Sequence, residues 1–247
     1  MRSIIVTGAA RGIGLAFARR FAADGFDVAI LDSTGAEQAA ASMAREGLSV
    51  TGYSGDVTEE ADWIRVVEDL LAKGRTLYGL VNNAAMFASL PMQPVTQISK
   101  EDWMKVMEVN TAGPFLGIKT CSPVMRASGG GRVLNIASTS PLKGVTGMPH
   151  YVSSKGAVIA LTRSLARELG PAGITVNAIA PGFTLSEGIL ANEEHVEQFR
   201  DIGKNARALK RDQTPEDLVG AASFLLGPDA MFITGQTLVV DGGAIFV

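Results

Sequence analysis

Tyr151 and Lys155 stand four residues apart in "HYVSSKGAVIALTRSLARELG", residues 150–170. The stretch has the apolar spacing of an amphipathic helix, so the two side chains share a face one turn apart. A phenol titrates at about 10 in water. As a general base it needs that value lowered by about two units, and a fixed cation nearby does this by favouring the phenolate. Lys155 supplies such a charge. On spacing alone, the pair also suits a lysine laying its stem on an apolar surface beside a tyrosine.

A second group of residues is built for phosphate. "IIVTGAARGIG" carries Gly8, Gly12 and Gly14 directly after an apolar run and at the opening of a helical pattern, with Arg11 and Ile13 between them. Glycines let the backbone turn tightly and approach a pyrophosphate whose charge sits at a helix N-terminus. A tight strand-to-helix turn would use the same glycines. The next apolar run ends at Asp32. A carboxylate there accepts hydrogen bonds from adenosine ribose hydroxyls and repels a 2′-phosphate, favouring NAD over NADP. It also suits the cap of the following helix. Arg11 works in the other direction, since a base in this loop can pair with a 2′-phosphate, with Asp32 or with solvent.

These residues need a frame to hold them. Runs at 3–7, 27–31, 49–53, 77–81, 132–137, 174–180 and 237–240 are rich in Val and Ile and rarely alternate with polar residues, as strands buried on both faces do. Helical patterns fall between them at 12–24, 35–46, 58–73, 99–127, 152–169 and 214–226. Thr58 reads as one helix cap. Thr214 reads as another, with Pro215 at the first helical position. Alternating β and α predicts an α/β chain: a Rossmann-like, doubly wound, seven-stranded parallel sheet with helices on both faces. With no linker or repeat, 1–247 reads as a single domain. Only 183–211 breaks the rhythm, and this polar segment is expected to form a substrate lid.

Composition sets outer bounds. The chain has 247 residues, 47% of them hydrophobic, and a formal charge of -3, which suits a packed globule with no basic footprint for nucleic acid. No run approaches the length of a membrane helix, and no signal peptide is visible. Cys121 is the single cysteine, so no intrachain disulfide forms; a buried role and a cytoplasmic location are expected. Two histidines, His150 and His195, and no cysteine cluster give no zinc site.

The sequence resembles the short-chain dehydrogenase/reductase family over nearly its whole length. The motifs "TGAARGIG" (7–14), "GDV" (55–57), "NNAA" (82–85), "VN" (109–110), "NIAS" (135–138), "YVSSK" (151–155), "NAIAPG" (177–182) and "VDGG" (240–243) come in the family's order. The resemblance implies a catalytic tetrad. Tyr151 is the acid/base, and Lys155 lowers its pKa and holds the nicotinamide ribose. Ser138 bonds the substrate oxygen, and Asn110 bends its helix and holds a water on a proton path. It also implies that Asp56 and Val57 flank the adenine and that Asn82 and Ala84 lie along the adenosine ribose. Pro181, Gly182 and Thr184 then border the nicotinamide, and Ser186 stands near the phosphates. Ala85 and Ala137 depart from the usual Gly and from a common Ser or Gly, with little effect expected.

The substrate is a small molecule. Its pocket is expected to involve Met86, Phe87, Ser140, Leu142, Met148, His150, Leu185 and the segment 189–209, with Lys143 at the rim. Mostly apolar walls point to a hydrophobic or aromatic secondary alcohol or its ketone. Carrier-protein reductases of the family tend to carry docking arginines, and Gly129 and Ala172 stand in those places here. An NADPH-dependent ketone reductase and a non-catalytic nucleotide sensor are the alternatives. The family habit further implies a homotetramer built on the helices at 99–127 and 152–169, with the apolar end at 244–247 in another interface.

Overall fold

The computed structural model describes residues 1–247. Seven strands form one sheet: β1 (Arg2–Thr7), β2 (Asp27–Asp32), β3 (Val50–Ser54), β4 (Thr76–Asn82), β5 (Gly131–Ile136), β6 (Ile174–Pro181) and β7 (Thr237–Val240). Their order is β3-β2-β1-β4-β5-β6-β7, and every neighbouring pair is parallel. Chain direction reverses its march across the sheet between β1 and β4, which opens a crevice at the carboxyl ends of those strands.

Helices cover both faces because successive strand residues point opposite ways. On one face Ile4, Val6, Val28 and Ile30 meet α1 (Gly12–Ala23), α2 (Ala36–Arg45) and α10 (Glu216–Leu226) through Phe17, Phe21, Met43, Leu218 and Leu225. On the other, Ile5, Ala29, Leu31 and Val133 meet α3 (Glu60–Ala72), α5 (Gly113–Ala127) and α7 (Pro149–Leu169) through Trp63, Leu70, Ile118, Cys121 and Ala166. Both alternating sets of β1 are fully buried, so the strand reads as an unbroken apolar run. Cys121 is a free, buried thiol, pushed up to about 12 by desolvation. No helix is long and apolar enough to cross a membrane.

The helical pattern at 99–127 resolves into three pieces. α4 (Lys100–Met107) runs into a π-helical turn at Glu108–Ala112 and then into α5. α6 (Ser140–Lys143) is a single turn after β5. The segment at 183–211 carries α8 (Glu187–Leu190) and the longer α9 (Glu193–Ala206). Two expected caps differ. Thr58 is bound to Asp56 Oδ1 through its amide and hydroxyl, so α3 starts two residues later with no side-chain cap. Thr214 donates its amide to Asp217 Oδ2 instead of accepting a bond at its hydroxyl, and the helix starts after Pro215.

Candidate active site

A cavity of about 830 Å³ fills the crevice. One end is the loop between β1 and α1. Gly8 and Gly12 adopt φ of 61° and 59°, where a side chain is strained. A Cβ on Gly8 would lie 2.7 Å from Ala84 Cα, so the loop rests directly on the chain after β4. Gly14 does not reach the cavity. A Cβ there would lie 2.3 Å from Gly8 O, and this glycine lets α1 close against the loop. Arg11 and Ile13 line the cavity, and α1 begins without a side-chain cap, leaving its first amides free for an anion.

Asp32 lines the same end. Its Oδ2 accepts from the Ala10 amide at 3.0 Å and its Oδ1 from the Thr34 amide at 3.3 Å. Arg11 makes no ion pair with it, and its side chain is exposed. Asp56, Val57 and Ala84 also line the cavity. Asn82 does not. It is buried, and its Nδ2 donates to Asn135 Oδ1 at 2.8 Å, while Asn135 Nδ2 donates to Thr162 Oγ1 on α7. The next residue, Asn83, faces the cavity and donates to the Thr7 and Gly8 carbonyls at 2.9 Å each, pinning the glycine loop. The sequence motif contained Asn83, but strand alternation was needed to separate it from its neighbour.

The middle of the cavity holds Ser138, Tyr151 and Lys155. Ser138 follows β5, and the other two come from the first turns of α7. Lys155 Nζ donates to Ile136 O at 2.7 Å and lies 5.9 Å from the centre of the Tyr151 ring. An ammonium has three donors, so others remain for a ligand hydroxyl. Burial lowers this lysine to about 8. Burial raises the Tyr151 phenol to about 12, and the Ser138 hydroxyl beside it pulls it back.

Asn110 lies behind these residues, 1% exposed, in the π turn. Its Oδ1 accepts from the Met86 amide at 2.7 Å, and its Nδ2 donates to Met86 O at 3.2 Å and to Ser154 Oγ at 3.0 Å. The helix is distorted there as expected. The Asn110 side chain clamps the chain after β4 to α7.

Pro181 at the end of β6 and Gly182, Thr184 and Ser186 after it border the cavity, and Met86, Phe87, Ser140, Lys143, Met148 and Ile189 line its outer half. Three expected pocket residues fall outside it. His150 is buried, and its Nδ1 accepts from the Tyr151 amide. Adjacent helical side chains point about 100° apart, so Tyr151 facing the cavity turns His150 away. Leu185 lies between Thr184 and Ser186 on near-extended chain, where alternation sends it outward. Leu142 is 43% exposed on the outside of α6.

Sequence reasoning also passed over Phe183, Phe199, Arg207 and Asp241 as individual residues. All four line the outer half. Arg207 is buried, and donates to the carbonyls of Asp241, Arg211 and Phe183, tying the end of α9 to β7. Nothing in "KNARALKR" marks it apart from a surface arginine.

The residues fit a dinucleotide: free helix amides and a glycine cradle at one end, the Asp32 carboxylate beside them, and a lysine with spare donors at the other. Comparisons agree. The family model described as "Enoyl-(Acyl carrier protein) reductase" matches residues 8–244. The chain is 38% identical to galactitol 2-dehydrogenase of Agrobacterium fabrum over 97% of its length and 95% of that protein's. It is 34% identical to cyclopentanol dehydrogenase of a Comamonas strain, over 97% and 95%. Among solved structures, one described as an NAD(P) dependent gluconate 5-dehydrogenase from Beutenbergia cavernae, with NADP at low occupancy, superposes with a TM-score of 0.89. It is 35% identical, covering 98% of this chain and 96% of its own. With its parallel seven-stranded sheet and these relatives, the chain belongs to the short-chain dehydrogenase/reductase family, enzymes that use a nicotinamide cofactor to interconvert alcohols and carbonyls.

Proposed function

We propose that this protein is an NAD-linked dehydrogenase that interconverts a hydrophobic or aromatic secondary alcohol and its ketone, with Tyr151 as acid/base. The observation that carries this reading is one continuous cavity with Asp32 and the glycine loop at one end and Tyr151, Ser138 and Lys155 in the middle, followed by an outer half where Met86, Phe87, Met148 and Ile189 stand among Ser140, Lys143, Arg207 and Asp241. Nicotinamide, when bound, supplies the hydride acceptor for the alcohol and the hydride donor for the ketone.

Tyr151 takes the alcohol proton at its phenolic oxygen, or returns it to the ketone. Ser138, already close enough to lower the phenol, holds the substrate oxygen beside it. Lys155 offers its remaining donors to the ribose and its charge to the tyrosinate. Asp32 accepts from the adenosine ribose and disfavours a 2′-phosphate, which supports NAD. The segment 183–211 is the lid of the outer half within a single domain. The working form is a homotetramer, and the cytoplasm is the compartment that suits a free buried thiol. An NADPH-linked reductase is the second reading, favoured by the exposed, unpaired Arg11 at the adenosine end.

The test is reduced-nicotinamide absorbance with NAD or NADP and a panel of secondary alcohols, comparing wild type with Tyr151→Phe. Turnover with NAD is expected, falling at least about a thousandfold in the variant. Turnover with NADP alone overturns the cofactor assignment. Undiminished turnover in Tyr151→Phe overturns the role of the phenol.

A further inference from the structure

Five aromatic rings run from Tyr151 out to the lid, Tyr151 included. Phe87, on the chain after β4, lies with its centre 4.6 Å from the Tyr151 ring, tilted by 33°. The His195 ring of α9 lies 5.2 Å from Phe87 and meets Phe199 edge-on at 5.9 Å, and Phe199 meets Phe183 at 5.6 Å. His195 is fully buried although it sits on a helix whose next residues toward both ends are largely polar.

The reason is a specific bond. His195 Nε2 lies 2.8 Å from Leu90 O, and a carbonyl only accepts, so Nε2 carries the proton. The Leu90 amide donates in turn to Phe87 O at 3.0 Å, closing a turn that begins at Phe87. A second bond joins the same two elements, Asn192 Nδ2 to Ala88 O at 2.6 Å. Asn192 also caps α9 by accepting from the His195 amide. The chain at 83–92 has no strand or helix of its own. Its inner end is fixed by Asn110 at Met86, and its outer end by the lid.

We infer that His195 is a positioning residue: it latches the lid helix to the turn 87–90 and thereby holds Phe87 against Tyr151 as the wall on which a flat substituent of the substrate rests. Phe87 is then the residue that discriminates aryl from small alkyl carbinols. A carbinol carbon that reaches the Tyr151 oxygen must carry one substituent past this ring. An aryl group gains an offset stacking contact there, and a methyl or ethyl group does not. His195 itself is absent from the cavity lining and acts only through Phe87. The inference rests on the secondary-alcohol reading for its substrate arm alone.

The experiment compares wild type, His195→Ala, His195→Gln and Phe87→Ala, with Glu197→Ala on the exposed side of α9 as control. One arm measures KM and kcat for 1-phenylethanol and 2-butanol. The other measures amide hydrogen exchange in 83–92 and 187–206. In His195→Ala and in Phe87→Ala, KM for the aryl carbinol is expected to rise about tenfold and that for 2-butanol less than about twofold. In His195→Ala, exchange is expected to quicken in both segments together. His195→Gln keeps a donor for Leu90 O, so it is expected to slow exchange in 83–92 again; it also serves if the alanine variant does not fold. Faster exchange in 187–206 with 83–92 unchanged overturns the latch. Equal rises in the two KM values overturn Phe87 as the discriminating wall. If wild type turns over neither carbinol, the substrate reading fails, and the exchange arm still decides the latch.

Discussion

Lys155 and Tyr151 are buried together, and burial acts on them in opposite senses. It lowers the lysine from 10.5 to about 8 and raises the phenol from 10.0 to about 12, because each charged form loses water. Between about 8 and 10.5 the unfolded chain keeps the lysine proton that the native chain has lost, so stability rises with pH across that window. For Tyr151 the native chain keeps a proton between 10.0 and about 12 that the unfolded chain has lost, so stability falls there. Lys155→Met removes the first effect and leaves the second. The unfolding free energy of wild type minus that of Lys155→Met is expected to grow by about 1 kcal/mol per pH unit from pH 8 to 10. Denaturant titrations of the ligand-free protein at several pH values check this. A flat difference would mean that the lysine keeps its ordinary affinity for the proton. Both values also show what charge at the active site must do. On the role proposed for Tyr151, a phenol held up by burial needs the positive charge of Lys155 and of a bound nicotinamide to act as a base near neutrality.

At the scale of an element, the π turn at Glu108–Ala112 explains why a buried asparagine interrupts a long helix. Asn110 makes three hydrogen bonds to Met86 and Ser154, which tie the chain after β4 to α7. Asn110→Leu strands the Met86 amide and carbonyl and is expected to cost about 2–4 kcal/mol in denaturant titration. Asn110→Asp, which still accepts from the Met86 amide, is expected to lose less. Equal stability of Asn110→Leu and wild type would sink this account. The sequence carried the oddity of a mid-helix asparagine, but not its partners, because Met86 and Ser154 are 24 and 44 residues away. Strands were legible for the opposite reason: burial on both faces writes itself into β1 and β2 as the apolar runs 4–6 and 28–31. The glycine loop, Asp32 and the Tyr151–Lys155 pair were legible too, since close spacing decides what they can touch. The helix α9 was not. α9 sets Val196, Phe199 and Gly203 at three- and four-residue spacing, but the glycine and the charged residues between them make that stripe read as a polar segment. His150 and Leu185 misled because adjacency in sequence is not adjacency in space: helix and extended chain both turn a neighbour away from the cavity.

For the whole molecule, the sheet fixes the cavity at its switch point and leaves two flanks unfinished. β7 ends the sheet as an open edge, with Leu238 41% exposed, and Met231 and Phe232 just before it are 66% and 104% exposed. Far along the sheet, α4 and α5 expose Met104 and Phe115 at 54% and 48%. An unpaired edge strand and bare apolar side chains are poorly tolerated on a monomer. Two separate patches, each covered by a copy of itself, would generate a closed dimer of dimers, since two distinct two-fold contacts are what such symmetry requires. Light scattering on the eluting protein is therefore expected to give four times the 25.8 kDa of one chain. Phe115→Asp places a charge in one patch only and is expected to yield dimers that keep the β7 contact. Leu238→Asp is expected to yield dimers of the other kind, and the two together monomers. The two single variants also separate assembly from chemistry. Neither residue lines the cavity, so a dimer that retains turnover shows a site complete within one chain. A wild type that elutes as a monomer at micromolar concentration would remove the tetramer and leave both patches for another partner.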